Sequence, residues 1–166
     1  MCTAWARRTA QPLDAALDVG CAVGGTSFSL SSTFACVVGI DYSHAFVRAA
    51  QQLATQGRAA FSMSEEGDRT SFHVATLPPS ALPARCSFIQ GDACALPQPE
   101  AMAALGAPAG GRFTLIHAAN LLCRLPDPRA FLRRLPSLLQ PDGLVVLVSP
   151  FSWLAQYTPR SGWIGA

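Results

Sequence analysis

The sequence predicts an α/β fold, a mostly parallel sheet with helices on both faces. Three observations carry this. Short apolar runs recur along the chain at 16–19, 36–40, 86–90, 112–117 and 144–148. Segments with helical spacing and caps lie between several of them. The suggestive polar residues fall just after the runs, where the strands would end. Strands buried on both sheet faces read as near-continuous apolar runs. In such a sheet the ligand sits outside the carboxyl ends of the strands.

Ala16 to Val19 reads as the first strand and ends at a glycine-rich turn. A helix is expected from Thr26 to Thr33, capped around Thr26-Ser27, followed by a β-branched strand from Cys36 to Ile40 that ends at Asp41. From Ser43 to Gln56, Phe46, Val47, Ala50 and Leu53 recur at helical spacing, with Ser43 as N-cap and Gly57 as the stop. Residues 57–85 carry no clear period and are expected to be a loop or insertion before a third strand, Cys86 to Gln90. A second loop-like stretch, 97–111, precedes a fourth strand from Arg112 to His117. Pro128 to Leu139 reads as a helix in spite of Pro136, and Pro141-Asp142-Gly143 as a tight turn before a fifth strand, Leu144 to Val148.

Composition narrows the function. At 166 residues, 50% hydrophobic and 13% charged, the chain has the size and apolar content of one well-buried domain, residues 1–166. A net charge of +2 does not argue for nucleic acid or an anionic membrane, and the pairs Arg7-Arg8 and Arg133-Arg134 read as ordinary solvated positions. Every basic residue is Arg, which excludes Schiff-base lysine catalysis and a phosphate-binding P-loop. No C-x-x-C pair occurs among Cys2, Cys21, Cys36, Cys86, Cys94 and Cys123, so no metal site is expected and the thiols read as buried core groups. No apolar signal core or membrane-length run is visible, and the expectation is a soluble, cytoplasmic protein.

The chemistry gathers at the strand ends. Asp18-Val19-Gly20-Cys21-Ala22-Val23-Gly24-Gly25 closes the first strand, and its glycines allow a sharp turn and a close approach to a ligand. Asp18 would repel a phosphate and suits an ammonium group or hydroxyls. Asp41 can accept both ribose hydroxyls of an adenosyl ligand, and Tyr42 can lie against its adenine. Gly91-Asp92-Ala93 ends the third strand, where a carboxylate can accept from the adenine amino group and Ala93 can offer a backbone N–H. Each acid also has a plain structural role to offer, as a helix N-cap or a turn residue. Acids at three successive strand ends favour S-adenosylmethionine as the cofactor. His117 and Asn120 end the fourth strand on the side where an acceptor would lie, and His117 is a candidate base or a structural histidine.

These residues match a known pattern. Asp18-x-Gly20-x-x-x-Gly24, Asp41, Asp92-Ala93 and Pro141-Asp142-Gly143 resemble the class I methyltransferase superfamily, with its Rossmann-like fold, across nearly the whole chain. Ala22 stands where the commonest form of the loop has Gly, which is tolerable if its backbone angles are ordinary. Ala16 to Gly24, Gly39-Ile40-Asp41-Tyr42-Ser43, Arg48 to Leu53, Gln90 to Cys94, Ala118-Ala119-Asn120-Leu121 and Ser149 to Leu154, with Tyr157-Thr158 and Gly162-Trp163, are similar to a narrower family. It is the C-terminal 4-mercaptohistidine N-methyltransferase domain of ovothiol-forming enzymes. The resemblance implies methylation of an imidazole nitrogen on a small thiohistidine-like acceptor. It implies cofactor contacts from Asp18, Gly20, Cys21, Gly24, Asp41, Tyr42, Asp92 and Ala93 and acceptor contacts from Trp153 and Tyr157, with Asn120 and His117 as the catalytic candidates. Superfamily members add two further strands after the fifth. The chain is expected to stop short of them, leaving a sheet edge for a partner domain or subunit to cover.

Two other readings stay open. Gly20-x-Ala22-x-x-Gly25 loosely fits a dinucleotide-binding loop, with Asp41 about twenty residues on, as in a nicotinamide-dependent oxidoreductase. Against that stands the lack of a Tyr-x-x-x-Lys or comparable set. The other is a non-catalytic, truncated cofactor-binding module.

Overall fold

The computed structural model describes residues 13–104, 107–108 and 110–165; Cys2, Arg7 and Arg8 lie outside these. Five strands form one parallel sheet: β1 (Ala15–Val19), β2 (Cys36–Asp41), β5 (Cys86–Gln90), β6 (Phe113–Ala119) and β7 (Leu139–Val148). Their order across the sheet is β5-β2-β1-β6-β7, so the chain winds outward from β1 in both directions. The register pairs Asp18 with Gly39 on one side and with His117 on the other.

Alternation along the strands splits the core between two layers. Leu17, Val19, Val38 and Ile40 point into one, where Phe131, Leu135 and Leu138 of helix α4 (Pro128–Leu138) cover them. Each such side chain is fully or almost fully buried, about 1.5–3 kcal/mol apiece by area. On the other face Phe28 of α1 (Gly25–Ser31) and Val47, Ala50 and Leu53 of α2 (His44–Gln56) pack with Phe88. Helix α2 is delimited as its sequence implies. The Ser43 hydroxyl accepts from the Phe46 N–H at 3.3 Å, and Gly57 ends the helix at φ 72°.

Four expectations are corrected. Residues 57–85 include an antiparallel hairpin, β3 (Arg58–Ser64) and β4 (Thr70–Thr76), turning at Gly67 with φ 63°. Both its strands are largely exposed, so no strong apolar pattern marks them. The stretch 97–111 contains a short helix, α3 (Pro99–Ala104), anchored by the fully buried Met102. Helix α1 is capped by Gly24 at φ 87° rather than at Thr26-Ser27. The Pro141-Asp142-Gly143 turn does not precede the last strand. It forms a bulge inside β7, with Asp142 at φ 57° and the register jumping from Leu139 opposite Phe113 to Leu144 opposite Leu115.

Arg134 is not a solvated position either. Its guanidinium donates to the carbonyls of Leu96 and Pro97 and fixes the segment after β5 against α4. Among the described residues nothing pairs with the outer edge of β7, and no helix is long and apolar enough to cross a membrane.

Candidate functional site

A cavity of about 540 Å³ lies across the carboxyl ends of the strands. Val19 and Gly20 close it at β1, Ile40, Asp41 and Tyr42 at β2, and Gly91, Asp92 and Ala93 at β5. Beyond β6, Leu121, Arg124, Leu125 and Pro126 continue the wall, and Gln156 and Tyr157 of the C-terminal segment complete it. The sheet order sets the layout: β5 and β6 are three strand spacings apart, roughly 14 Å at 4.7–4.9 Å each.

The loop after β1 is shaped by backbone conformations that side chains disfavour. Gly20, Ala22 and Gly24 all have positive φ, at 74°, 48° and 87°. A Cβ on Gly20 would meet the Leu121 side chain at 3.0 Å, and one on Gly24 would meet the rings of Phe88 and Phe28 at 2.8 and 2.9 Å. Ala22 therefore does not have ordinary backbone angles. It holds a left-handed conformation that costs an alanine roughly 1–2 kcal/mol, and its N–H donates to Asp41 Oδ2 at 2.8 Å.

Asp41 thus joins two strand ends. Its Oδ1 accepts the Ser43 N–H, also at 2.8 Å, which fixes the entry to α2. A carboxylate oxygen has two acceptor sites, so both oxygens keep capacity for a ligand hydroxyl. Asp92 caps the short helical turn Ala93–Ala95, its Oδ1 accepting the Cys94 N–H at 2.8 Å.

Other residues singled out by the sequence stand away from the cavity wall. Asp18 is 2% exposed, and both its oxygens are engaged within the protein. The Ser27 hydroxyl donates to Oδ2 at 2.6 Å and His117 Nδ1 donates to Oδ1 at 2.8 Å. Parallel pairing of β1 with β6 sets His117 directly beside Asp18. The carboxylate expected to face a ligand therefore ties β1 to α1 and β6, and the imidazole considered as a base is its partner. Cys21 is buried under α1 and α2, where desolvation, together with the charges of Asp18 and Asp41, pushes its thiol far above the usual range. Gly24 lies beneath the Phe28–Phe88 ring pair.

Asn120 is exposed and turns the chain at φ 55°, its N–H bonded to the Val148 carbonyl at 2.7 Å. Asn tolerates that conformation better than most residues. Trp153 and Tyr157 lie in a segment that is not helical. Trp153 packs on the core and stacks with Trp163, while Tyr157 lines the cavity.

Sequence reasoning missed Arg124, Leu125 and Gln156. The Arg124 guanidinium donates to the Ser152 carbonyl at 2.6 Å and to its hydroxyl at 3.1 Å, and it lies 5.2 Å from the centre of the Tyr157 ring. Thr158, wholly buried, donates to the Leu125 carbonyl at 2.6 Å and so latches the C-terminal segment onto the loop after β6. Contacts between distant segments of this kind leave no periodic trace. Among the described residues no cluster of His, Cys, Asp or Glu is arranged to hold a metal ion.

Comparison with known proteins agrees with this fold. The model of a family described as a methyltransferase domain matches residues 6–162. No curated protein matches the chain. Among solved structures, the YcgJ protein from Bacillus subtilis is 20% identical with a TM-score of 0.57, over 86% of this chain and 47% of that one. The glycopeptide N-methyltransferase MtfA, complexed with S-adenosyl-L-methionine, is 17% identical with a TM-score of 0.57, over 88% and 51%. The magnesium protoporphyrin IX methyltransferase of Synechocystis, with bound SAH, is 21% identical with a TM-score of 0.51, over 82% and 48%. At these identities the likeness is one of fold. The chain spans about half the length of the solved structures it matches.

Proposed function

Because this chain belongs to the methyltransferase domain family, we propose that it binds S-adenosylmethionine across its strand ends and methylates an imidazole nitrogen of a 4-mercaptohistidine-like acceptor, the methylation step of ovothiol formation. The observation that carries the cofactor reading is the wall at β2 and β5. Two carboxylates on neighbouring strands, Asp41 and Asp92, line one cavity, and both keep acceptor capacity there. The volume of about 540 Å³ falls within the roughly 300–1,000 Å³ of sites that enclose a ligand of this size. The resemblance of the motifs around Asp41, Asp92 and Asn120 supports the choice of acceptor.

When bound, S-adenosylmethionine supplies a methyl group on a cationic sulfur, already electrophilic. The task left to the protein is positional. Asp41 accepts from the ribose hydroxyls while its backbone bonds to Ala22 and Ser43 hold it still. Asp92 accepts from the adenine amino group, and Tyr42, 75% exposed, lies over the ring. Gly20, without a side chain, lets the β1 end approach the ligand. Leu121, Arg124 and Tyr157 then form the acceptor side. A neutral imidazole nitrogen is nucleophilic at physiological pH, so in this reading His117 and Asn120 serve the frame of the site and no strong base is required. The outer edge of β7 is where a further segment or subunit would extend the sheet.

Calorimetric titration with S-adenosylhomocysteine, with NAD as control, tests the cofactor. Micromolar binding of the first alone, lost in Asp41→Ala, is expected, and binding of NAD instead would sink the reading. Transfer of labelled methyl to 4-mercaptohistidine, analysed for the nitrogen modified, then tests the acceptor.

A further inference from the structure

We propose that Arg124 is the specificity-determining residue for the acceptor, and that it selects a molecule with a free carboxylate, as an amino acid has. This rests on the methyltransferase reading above.

The cavity is electrostatically two-ended. Among the described residues that line it, the two acids, Asp41 and Asp92, stand at the β2 and β5 ends, and the one cation, Arg124, stands past β6, on the far side of β1. Among the described residues no carboxylate pairs with Arg124. A guanidinium has five N–H donors. Here Nη1 is used on the carbonyls of Cys123 and Ser152, and one Nη2 hydrogen on the Ser152 hydroxyl. Nε and the other Nη2 hydrogen have no protein acceptor among the described residues. Those two N–H groups make one edge of the guanidinium fork, the arrangement that binds a carboxylate through two parallel hydrogen bonds. The bonds to Cys123 and Ser152 and the contact with Tyr157 hold the fork in place, so little ordering is needed on binding.

A carboxylate could come from either substrate, since the donor also ends in an amino acid. The acceptor is favoured by where Arg124 sits. It shares its wall with Gln156 and Tyr157 of the C-terminal segment, beyond Leu121, whereas the donor's adenosyl group is assigned to the opposite end.

The test titrates the full chain with L-histidine and with histamine, which differ by the carboxylate, each with and without S-adenosylhomocysteine. L-histidine is expected to bind about 10–100-fold more tightly in both series, the scale of hydrogen bonds to a charged group. In Arg124→Gln that preference should vanish while affinity for S-adenosylhomocysteine stays within about threefold, and Arg124→Lys, which keeps the charge but not the fork, should retain only part of it. Equal binding of the two ligands by the wild-type chain overturns the proposal, and does so even if Arg124→Gln fails to fold. A fall in S-adenosylhomocysteine affinity in Arg124→Gln as large as the fall for L-histidine assigns the guanidinium to the donor and overturns it too. Failure of the wild-type chain to bind S-adenosylhomocysteine counts against the methyltransferase reading, and the series without it still decides the role of Arg124.

Discussion

The carboxylate of Asp41 accepts the backbone N–H of Ala22 at 2.8 Å, so the end of β2 holds the loop after β1 in a shape its alanine resists. Left-handed backbone costs Ala22 roughly 1–2 kcal/mol, and glycine adopts it freely. Glycine also gains freedom in the unfolded chain, which returns part of that difference. Ala22→Gly is therefore expected to stabilise the protein by about 0.5–1 kcal/mol and to raise the thermal midpoint by about 2 °C. A lower midpoint would mean that Ala22 sits in its loop without strain.

The pair of Asp18 and His117 yields a prediction that separates structure from catalysis. Removing the buried carboxylate in Asp18→Ala strands the Ser27 hydroxyl and the imidazole, at an expected cost of about 2–4 kcal/mol in denaturant unfolding. His117→Gln should also lower stability while leaving kcat within about tenfold, because the imidazole lies off the cavity wall. A loss of kcat beyond about 100-fold with stability unchanged would make His117 part of the chemistry.

The parallel core was legible in the sequence because burial on both sheet faces imprints continuous apolar runs such as Val37-Val38 and Leu115-Ile116. The ends of α2 were legible because Ser43 and Gly57 act through local hydrogen bonds. The β3–β4 hairpin was not, since Phe72 and Val74 alternate toward solvent rather than toward a core. At the site, Asp41 and Asp92 could be placed from their position after a strand. Asp18 also follows that pattern, but its neighbour on β6, unknowable from local sequence, is an imidazole hydrogen-bonded to it inside the protein. Arg124 escaped notice because its role depends on Tyr157, which a non-local fold brings to it.

The latch of the C-terminal segment can be tested alone. Thr158→Val keeps the shape but leaves the Leu125 carbonyl without its donor, and the Trp163 indole still bonds the Thr158 backbone carbonyl. A loss of about 1–3 kcal/mol is expected from the buried unsatisfied group. Because Gln156 and Tyr157 lie next to the latch, KM for the acceptor should rise more than affinity for S-adenosylhomocysteine falls. Equal effects on both ligands would mean that the segment supports the whole cavity rather than its acceptor side.

Cys86 links stability to alkaline pH. Burial lifts its thiol from 9.0 to about 11, the charges of Cys36 and Asp18 adding to the shift and the hydrogen bond with Ser31 opposing it. The folded pKa is the higher one, so above pH 9 the unfolded chain releases a proton that the folded chain keeps. The thiol's contribution is therefore complete below pH 9 and is lost as the pH climbs to about 11. Burial shifts Cys21 in the same direction and further, so its loss begins in the same window. Thermal midpoints measured at pH 8, 9.5 and 11 should fall across the series, and Cys86→Ser, with nothing to titrate at that position, should fall less steeply than the wild type. Parallel curves for the two proteins would show that Cys86 meets the same surroundings folded and unfolded, contrary to its half-buried place between β2 and α1.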